Sequence, residues 1–299
     1  MNKETRITVF TPTYNRAHTL GRLYESLCRQ TCSNFEWMVI DDGSTDNTRE
    51  LIDGFISENR IPISYIYKEN GGLYTGYNTA YENITTELNV CVDSDDFLAD
   101  NSIELILDKW EKEGSDKYAG VIGLDFSVAT GTSVSGFFPE DMKVCDFMDL
   151  YFHKYPRGDY KYALRSDLTK EVAPQIGFEG ERNFNPVYMH LKVFDKYPLL
   201  VINENLCWVD YQTDSMSKGI YNQYFNSPKS FAKLRLLEMN LHGAGFLNKF
   251  RSAVHYVSSC LISKDPIFKK ENPSKIITFL SLPAGFLWWR YILYKSKKG

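Results

Sequence analysis

The chain has 299 residues, 43% of them hydrophobic and 15% aromatic, enough for a packed core and ordinary for one large domain or one domain with an appendage. A net charge of -4 and a pI near 5.8 give no global basic field, so nucleic acid is not an expected partner and any anion-binding surface must be local. The first residues lack the charged, apolar and cleavage regions of a secretory signal, which points to the cytoplasm, and six scattered cysteines match no zinc spacing, so Cys28 and Cys32 read as reduced thiols.

In chain order, Ile7 to Thr11 is strand-like, and Leu20, Leu23, Leu27 and Cys28 keep the three-four spacing of a helix face. Phe35 to Ile40 is a second strand, ending at Asp41-Asp42-Gly43-Ser44, with Asp46 placed to cap a helix carrying Leu51, Ile52 and Phe55. Ile61 to Tyr67 is a third strand. Gly71-Gly72 then breaks the chain before a helix from about Tyr74 to Asn83, and Leu88 to Val92 forms a fourth strand. Asp100 is the expected cap of a helix bearing Ile103, Ile106, Leu107 and Trp110. Strands alternating with helices predict an α/β fold with a doubly wound, mostly parallel sheet whose sites lie at the carboxyl ends of its strands.

The fourth strand runs into Asp93-Ser94-Asp95-Asp96. Acids crowded at the end of a buried strand are costly unless a cation or hydrogen-bond donors compensate. Hard oxygen ligands at that position suit Mg²⁺ or Mn²⁺ holding phosphates, with Asp95, Asp93 and Asp96 as the candidate ligands. The bland reading is an acidic turn capping the next helix, and for Asp96 the two readings weigh the same. No GxGxxG follows the first strand and no GxxxxGK[ST] is present, which disfavours a dinucleotide fold or P-loop.

Together, Thr11-Pro12-Thr13-Tyr14-Asn15-Arg16, Gln30-Thr31, Val39 to Asp46, Asn70-Gly71-Gly72 and Asp93-Ser94-Asp95-Asp96 resemble the family 2 glycosyltransferases of the GT-A fold, bacterial surface-polysaccharide type, over about residues 6 to 110. The resemblance implies a nucleotide-diphosphate sugar donor, often a UDP-sugar, held with Mn²⁺ or Mg²⁺. Carried over by position, Thr11, Pro12 and Tyr14 flank the base, Asp42 accepts a hydrogen bond from it, Asp93 lies near ribose or metal, and Asp95 is the principal metal ligand. Tyr14 as packing and Asp42 as a cap of the Gly43-Ser44 turn are the alternatives. Relatives often carry an Arg-Asn pair on the third helix where this chain has Tyr77-Asn78; Asn78 remains a donor-site candidate, and Lys68 is one replacement for the lost guanidinium.

Inverting displacement at the anomeric carbon also needs a carboxylate to take the acceptor's proton. The best segment for it is Phe178-Glu179-Gly180-Glu181-Arg182, with Glu181 favoured, Glu179 second, and pairing of either with Arg182 as the bland reading. Asp210 to Ser217 resembles the family's Tyr-containing segment, which makes Asp214 a further candidate to close over the diphosphate or ligate the metal, a surface turn being the equal alternative. His153, His190, His242 and His255 show no paired ligand spacing and read as structural.

From about Ser227 the pattern is helical. Residues 1–225 are the expected glycosyltransferase domain, 1–110 the nucleotide-sugar half and 111–225 the acceptor half, with 226–299 as a helical extension. Ile276 to Trp289 is fourteen residues without charge, and Lys269 to Gly299 holds seven Lys or Arg and one acid. Fourteen helical residues reach only about 21 Å, short of the roughly 30 Å hydrocarbon layer, and Pro283 and Gly285 are expected to interrupt them. Segment 276–298 is therefore read as an interfacial helix, a buried dimer helix being the alternative and an oligomer possible.

The expected function is a metal-dependent inverting glycosyltransferase, peripheral at the inner face of the plasma membrane, acting on a glycan or lipid-linked glycan in surface-polysaccharide assembly. The alternatives are a catalytically inactive nucleotide-sugar-binding scaffold and a sugar nucleotidyltransferase, the latter needing a glycine-rich basic loop that Thr11 to Arg16 does not provide.

Overall fold

The computed structural model describes residues 5–152, 158–210 and 219–296. The chain divides into two compact units: residues 1–71, 75–174 and 192–212 form the first, and 72–74, 175–191 and 213–299 the second. The helical unit thus takes in more than 226–299, drawing residues 175–191 to itself.

The first unit is built on a nine-stranded sheet. Strands β1 (Ile7–Thr13), β2 (Phe35–Asp41), β3 (Ile63–Tyr67) and β4 (Leu88–Cys91) are all parallel, in the order β3-β2-β1-β4. The inner three, β1, β2 and β4, read as apolar runs because both faces are covered, as parallel sheets require, while β3 at the edge is only half-buried. Beyond β4 the sheet is mixed: β8 (Tyr160–Arg165) is antiparallel to β4 and to β6 (Gly120–Ser127), β6 runs parallel to β9 (Leu199–Val209), and the short β5 (Phe97–Leu98) and β7 (Val144–Cys145) are antiparallel to β9. Parallel winding therefore stops at β4.

Helix α1 (Ala17–Cys28) buries Leu20, Leu23, Tyr24 and Leu27, and Tyr24 stacks on Phe55 with ring centroids 3.9 Å apart. Phe55 lies on α2 (Thr48–Glu58), whose N-cap is Asn47 and not the expected Asp46; Asp46, one residue earlier, accepts from the Thr48 backbone and from the Ala17 N–H at the start of α1, each at 3.1 Å, so it ties the two helix starts together. Helix α3 (Leu73–Asn83) brings Gly76 against Pro12, to whose Cβ a side-chain Cβ there would approach within 3.0 Å. Helix α4 (Ser102–Glu113) buries Ile103, Ile106, Leu107 and Trp110. Asp100 does not cap it: Asn101 is the preceding residue and Asp100 pairs with Arg29 at 3.1 Å, because an opposite charge from α1 outcompetes the helix end.

Register places the β1, β2 and β4 ends on one rim. Thr13 is level with Asp41 and Phe10 with Cys91, so the segment after β4 emerges beside the Thr11-to-Asn15 turn.

Three short helices follow α4 in the chain: α5 (Phe147–Phe152), α6 (Ser166–Val172) and α7 (Val187–Phe194). In the second unit, α8 (Ile220–Asn226), α9 (Pro228–Glu238), α10 (Phe246–Ser263) and α11 (Lys275–Ser296) follow, with a core of Leu236, Met239, Tyr256 and Cys260. Helix α11 is continuous for 22 residues through Pro283, about 33 Å at 1.5 Å per residue. The expected interruption at Pro283 and Gly285 does not occur. Gly285 instead lets α11 approach α10, where a Cβ would fall 2.5 Å from Val257 Cγ1. Length alone no longer argues against a membrane crossing; by length and composition the helix qualifies.

Candidate functional site

At the end of β2 the two aspartates divide their work. Asp41 accepts from the Ser44 backbone at 2.8 Å and from the Tyr65 hydroxyl at 2.6 Å, so it is Asp41 that fixes the Gly43-Ser44 turn. Asp42 is 5% exposed. Its Oδ1 accepts from the Lys68 ammonium and from Gly71 N–H at 3.0 Å, while its carbonyl accepts from Asn70 Nδ2 at 2.8 Å. Gly43, at φ +84, lies so close to Asn70 that a Cβ would stand 2.8 Å from the Asn70 nitrogen. The Asn70-Gly71 pair thus shapes a cradle around Asp42. Lys68 is committed to this acid, which weakens its case as a diphosphate partner.

Along the β1 turn, Thr11 is fully buried and its hydroxyl accepts from Trp37 Nε1 at 3.0 Å, so Thr11 can offer a base only its backbone. Pro12 is buried, whereas Tyr14 is 48% exposed. Asn15, at φ 53, accepts from the Thr45 backbone at 2.7 Å and ties this turn to the one after β2. Tyr77 is buried edge-on against Phe10 at 5.2 Å, so its side chain packs in the core instead of supplying charge; Asn78, next to it, is half-buried.

After β4, Asp93 keeps open surface although protein crowds it on most sides, and that desolvation raises its carboxyl pKa, with Lys161 opposing. Asp95 is half-buried, and Arg22 holds its carbonyl at 2.5 Å while pairing with Asp210 at 2.7 Å. Asp96 is 8% exposed and accepts from the Asp210 backbone at 3.2 Å; burial pushes its pKa up to about 7. Asp96 caps no helix.

Two residues that sequence reasoning missed complete this rim. Asp125 on β6 is 2% exposed, and burial pushes its pKa up to about 7 against the pull of Lys161. Its Oδ1 has no hydrogen-bond partner among the described residues, a deficit that typically costs about 1–3 kcal/mol. Lys161 on β8 is 8% exposed; burial works against its charge, but Asp125, Cys207, Asp96 and Asp93 together hold the ammonium above its usual range. The signal was present: Asp125 interrupts the apolar run Val121 to Phe126 as the acids do after β4. Arg22, a lone basic residue on an otherwise amphipathic helix, carried none.

Among the described residues, no group of three or more His, Cys, Asp or Glu is arranged to hold a metal ion. The donor chemistry still suits a hard cation, because Mg²⁺-type ions are commonly held by one or two carboxylates plus substrate phosphates.

In the second unit, Glu181 is 8% exposed and its two oxygens accept from the Lys229 and Ser230 backbone N–H groups at 2.9 and 2.7 Å. It is an anion seated on the first turn of α9, where helix-end donors and dipole favour it. Its pairing is with α9, and Glu179 is exposed. Gly72, at φ +94, touches the Arg182 backbone so closely that any Cβ would collide with its carbonyl. Asp214 and His153 lie outside the described residues. Burial lowers the pKa of His190 and His255 to about 4, so both stay neutral, as structural histidines do.

The family model "Glycosyl transferase family 2" matches residues 8–166, more than half of the chain. The chain belongs to that family. Glycosyltransferase GlyG of Streptococcus pneumoniae serotype 4 is 27% identical over 67% of this chain and 69% of its own length. The Escherichia coli chondroitin synthase is 32% identical over 36% of this chain but only 16% of its own length, the chain spanning a small part of such larger relatives. Among solved structures, Staphylococcus aureus TarS 1-349 in complex with UDP-GlcNAc superposes with a TM-score of 0.62 at 15% identity, covering 98% of this chain and 92% of that one. A Pyrobaculum calidifontis mannosyltransferase in complex with GDP-Man and Mn²⁺ does so at 0.54 and 16% identity, covering 97% and 88%. The GT-A fold of this bacterial-type family 2 glycosyltransferase follows from both comparisons.

Proposed function

We propose that this glycosyltransferase moves a sugar from a nucleotide-diphosphate donor, of the UDP type, to a glycan or lipid-linked glycan acceptor in surface-polysaccharide synthesis, with inversion. The observation that carries the reading is the rim of Asp93, Asp95 and Asp96 beside the Asp42 cradle, at the strand ends where α/β sheets bind ligands. The UDP-GlcNAc complex of TarS supports the donor class, and relatives named chondroitin synthase and hyaluronan synthase support a glycan product.

Pro12 and Tyr14 bound the nucleotide base, and Asp42, held rigid by Lys68 and Gly71, receives its N–H. Asp93 and Asp95 would hold Mn²⁺ or Mg²⁺, which when bound neutralises the leaving diphosphate. The acceptor hydroxyl attacks the anomeric carbon as the bond to the diphosphate oxygen breaks, and a carboxylate takes the hydroxyl proton. Of the two candidates Glu179 fits that role better, since both oxygens of Glu181 are engaged by α9. Incubating the protein with UDP-sugars, Mn²⁺ and a glycan panel tests the reading: release of nucleoside diphosphate with transfer supports it, pyrophosphate release points to a nucleotidyltransferase, and donor binding without turnover points to a scaffold.

The same reading puts the protein at the cytoplasmic face of a membrane through α11. On that helix Thr278, Ser281 and Gly285 are buried together with Ile292, while Ile276, Phe279, Leu280 and Leu287 are 53–77% exposed. Lys275, Arg290 and Lys295 bring charge that suits anionic lipid. Co-sedimentation with anionic vesicles, weakened by Phe279→Glu with Leu287→Glu, is the expected result; equal sedimentation of that variant would refute lipid contact.

A further inference from the structure

The sheet order β4-β8-β6-β9 aligns four polar groups along one edge of the first unit. Extending the Val90↔Ala163 register by two residues carries Lys161 past the end of β4, level with Val92 and next to Asp93. On the other side of β8, Asp125 is in register with Cys207 on β9. Lys161 feels the charge of Asp125, Cys207, Asp96 and Asp93, in keeping with their placement at this one end of the sheet.

Asp125 is under-partnered there: its Oδ1 has no donor among the described residues although the residue is 2% exposed. The Lys161 ammonium is coupled to it by charge. Buried polar groups of native proteins are normally satisfied, so an acceptor left open beside a buried ammonium points to a missing partner with its own donors and acceptors. A nucleotide base is poorly matched, since the Asp42 cradle lies on the far side of β1 from β8. A phosphate would be repelled by Asp125 and by Asp93.

We propose that Lys161 and Asp125 form a hydroxyl-binding floor for the donor's sugar ring, the carboxylate accepting from one ring hydroxyl and the ammonium donating to a neighbouring one. This rests on reading the Asp93 rim as the diphosphate site, because the sugar attached to that diphosphate is then the group brought to β8 and β6. Lys161 and Asp125 become specificity-determining residues: they select among sugars by hydroxyl configuration, as a site built to hydrogen-bond hydroxyls rejects analogues lacking them.

Calorimetric titration of UDP and of UDP-GlcNAc, UDP-glucose and UDP-galactose with Mn²⁺, on the full chain and on Asp125→Asn and Lys161→Gln, tests this. The wild type should bind one UDP-sugar about tenfold more tightly than UDP, the worth of a hydrogen bond to a charged group. Each variant should lose that difference while keeping UDP affinity within about twofold. Retained UDP binding certifies that a variant is folded, and if Lys161→Gln does not fold, Asp125→Asn carries the comparison. Parallel loss of UDP and UDP-sugar affinity, or no change in either, overturns the proposal while leaving the donor reading intact. A wild type that binds none of these nucleotides overturns both.

Discussion

The two acidic turns of the rim differ in what answers their charge. After β2, Asp41 and Asp42 are met by Ser44, Tyr65, Lys68 and Gly71, each supplied within sixty residues of chain. After β4, Asp93, Asp95 and Asp96 receive, among the described residues, one backbone N–H from Asp210 and the diffuse charge of a buried lysine. Acids whose partners are complete behave as shaped scaffolding with a face left for recognition. Acids left short of donors remain ready for a ligand that brings cationic charge.

Substitution separates the two turns most clearly at Asp95. Asp95→Asn should reduce transfer on the order of 10³-fold, the loss of several kcal/mol of leaving-group stabilisation, with an unchanged melting temperature, since among the described residues the fold holds Asp95 by its carbonyl. Next in size, Glu179→Gln should lower kcat roughly 10²-fold, the low end of general-base effects, whereas Glu181→Gln should cost about 1–2 kcal/mol of stability through its helix-end contacts and little turnover. Paired kinetics and melting curves check both. Asp42→Ala should act through folding, by about 2–3 kcal/mol, because it strands the Lys68 ammonium and the Gly71 N–H; an unaltered denaturation midpoint would show the cradle to be dispensable.

The smallest effect is a slope. Asp125 has its folded pKa raised to about 7 from 3.8 by burial, with Asp159 and Asp93 adding and Lys161 opposing. The fold therefore binds a proton more tightly than the unfolded chain, so this group's stabilising share is complete below about pH 4 and disappears as pH rises through about 7. Asp125→Asn should flatten the melting temperature against pH over that window; a wild-type slope would sink the assignment.

How far the sequence foretold this follows from where each cause lies. Strands β1 to β4 and α1 to α4 were legible because local apolar runs and three-four spacing encode them, and the Asn70-Gly71-Gly72 and Asp93-to-Asp96 turns are short-range motifs. Asp100 went to Arg29 on another helix, and Glu181 to the start of α9, some fifty residues on. Lys161 is level with Gly123, two residues from Asp125, only because β8 and β6 pair antiparallel, so neither residue's sequence neighbours announce the other. Pro283 looked like a break, yet α11 passes through it.

Manganese binding read by electron paramagnetic resonance tests the central claim most directly. With UDP present, the account predicts that the full chain removes about one equivalent of the free Mn²⁺ signal, and that Asp95→Asn, still folded, restores it. An Asp95→Asn signal identical to that of the wild type would contradict a cation held at the end of β4.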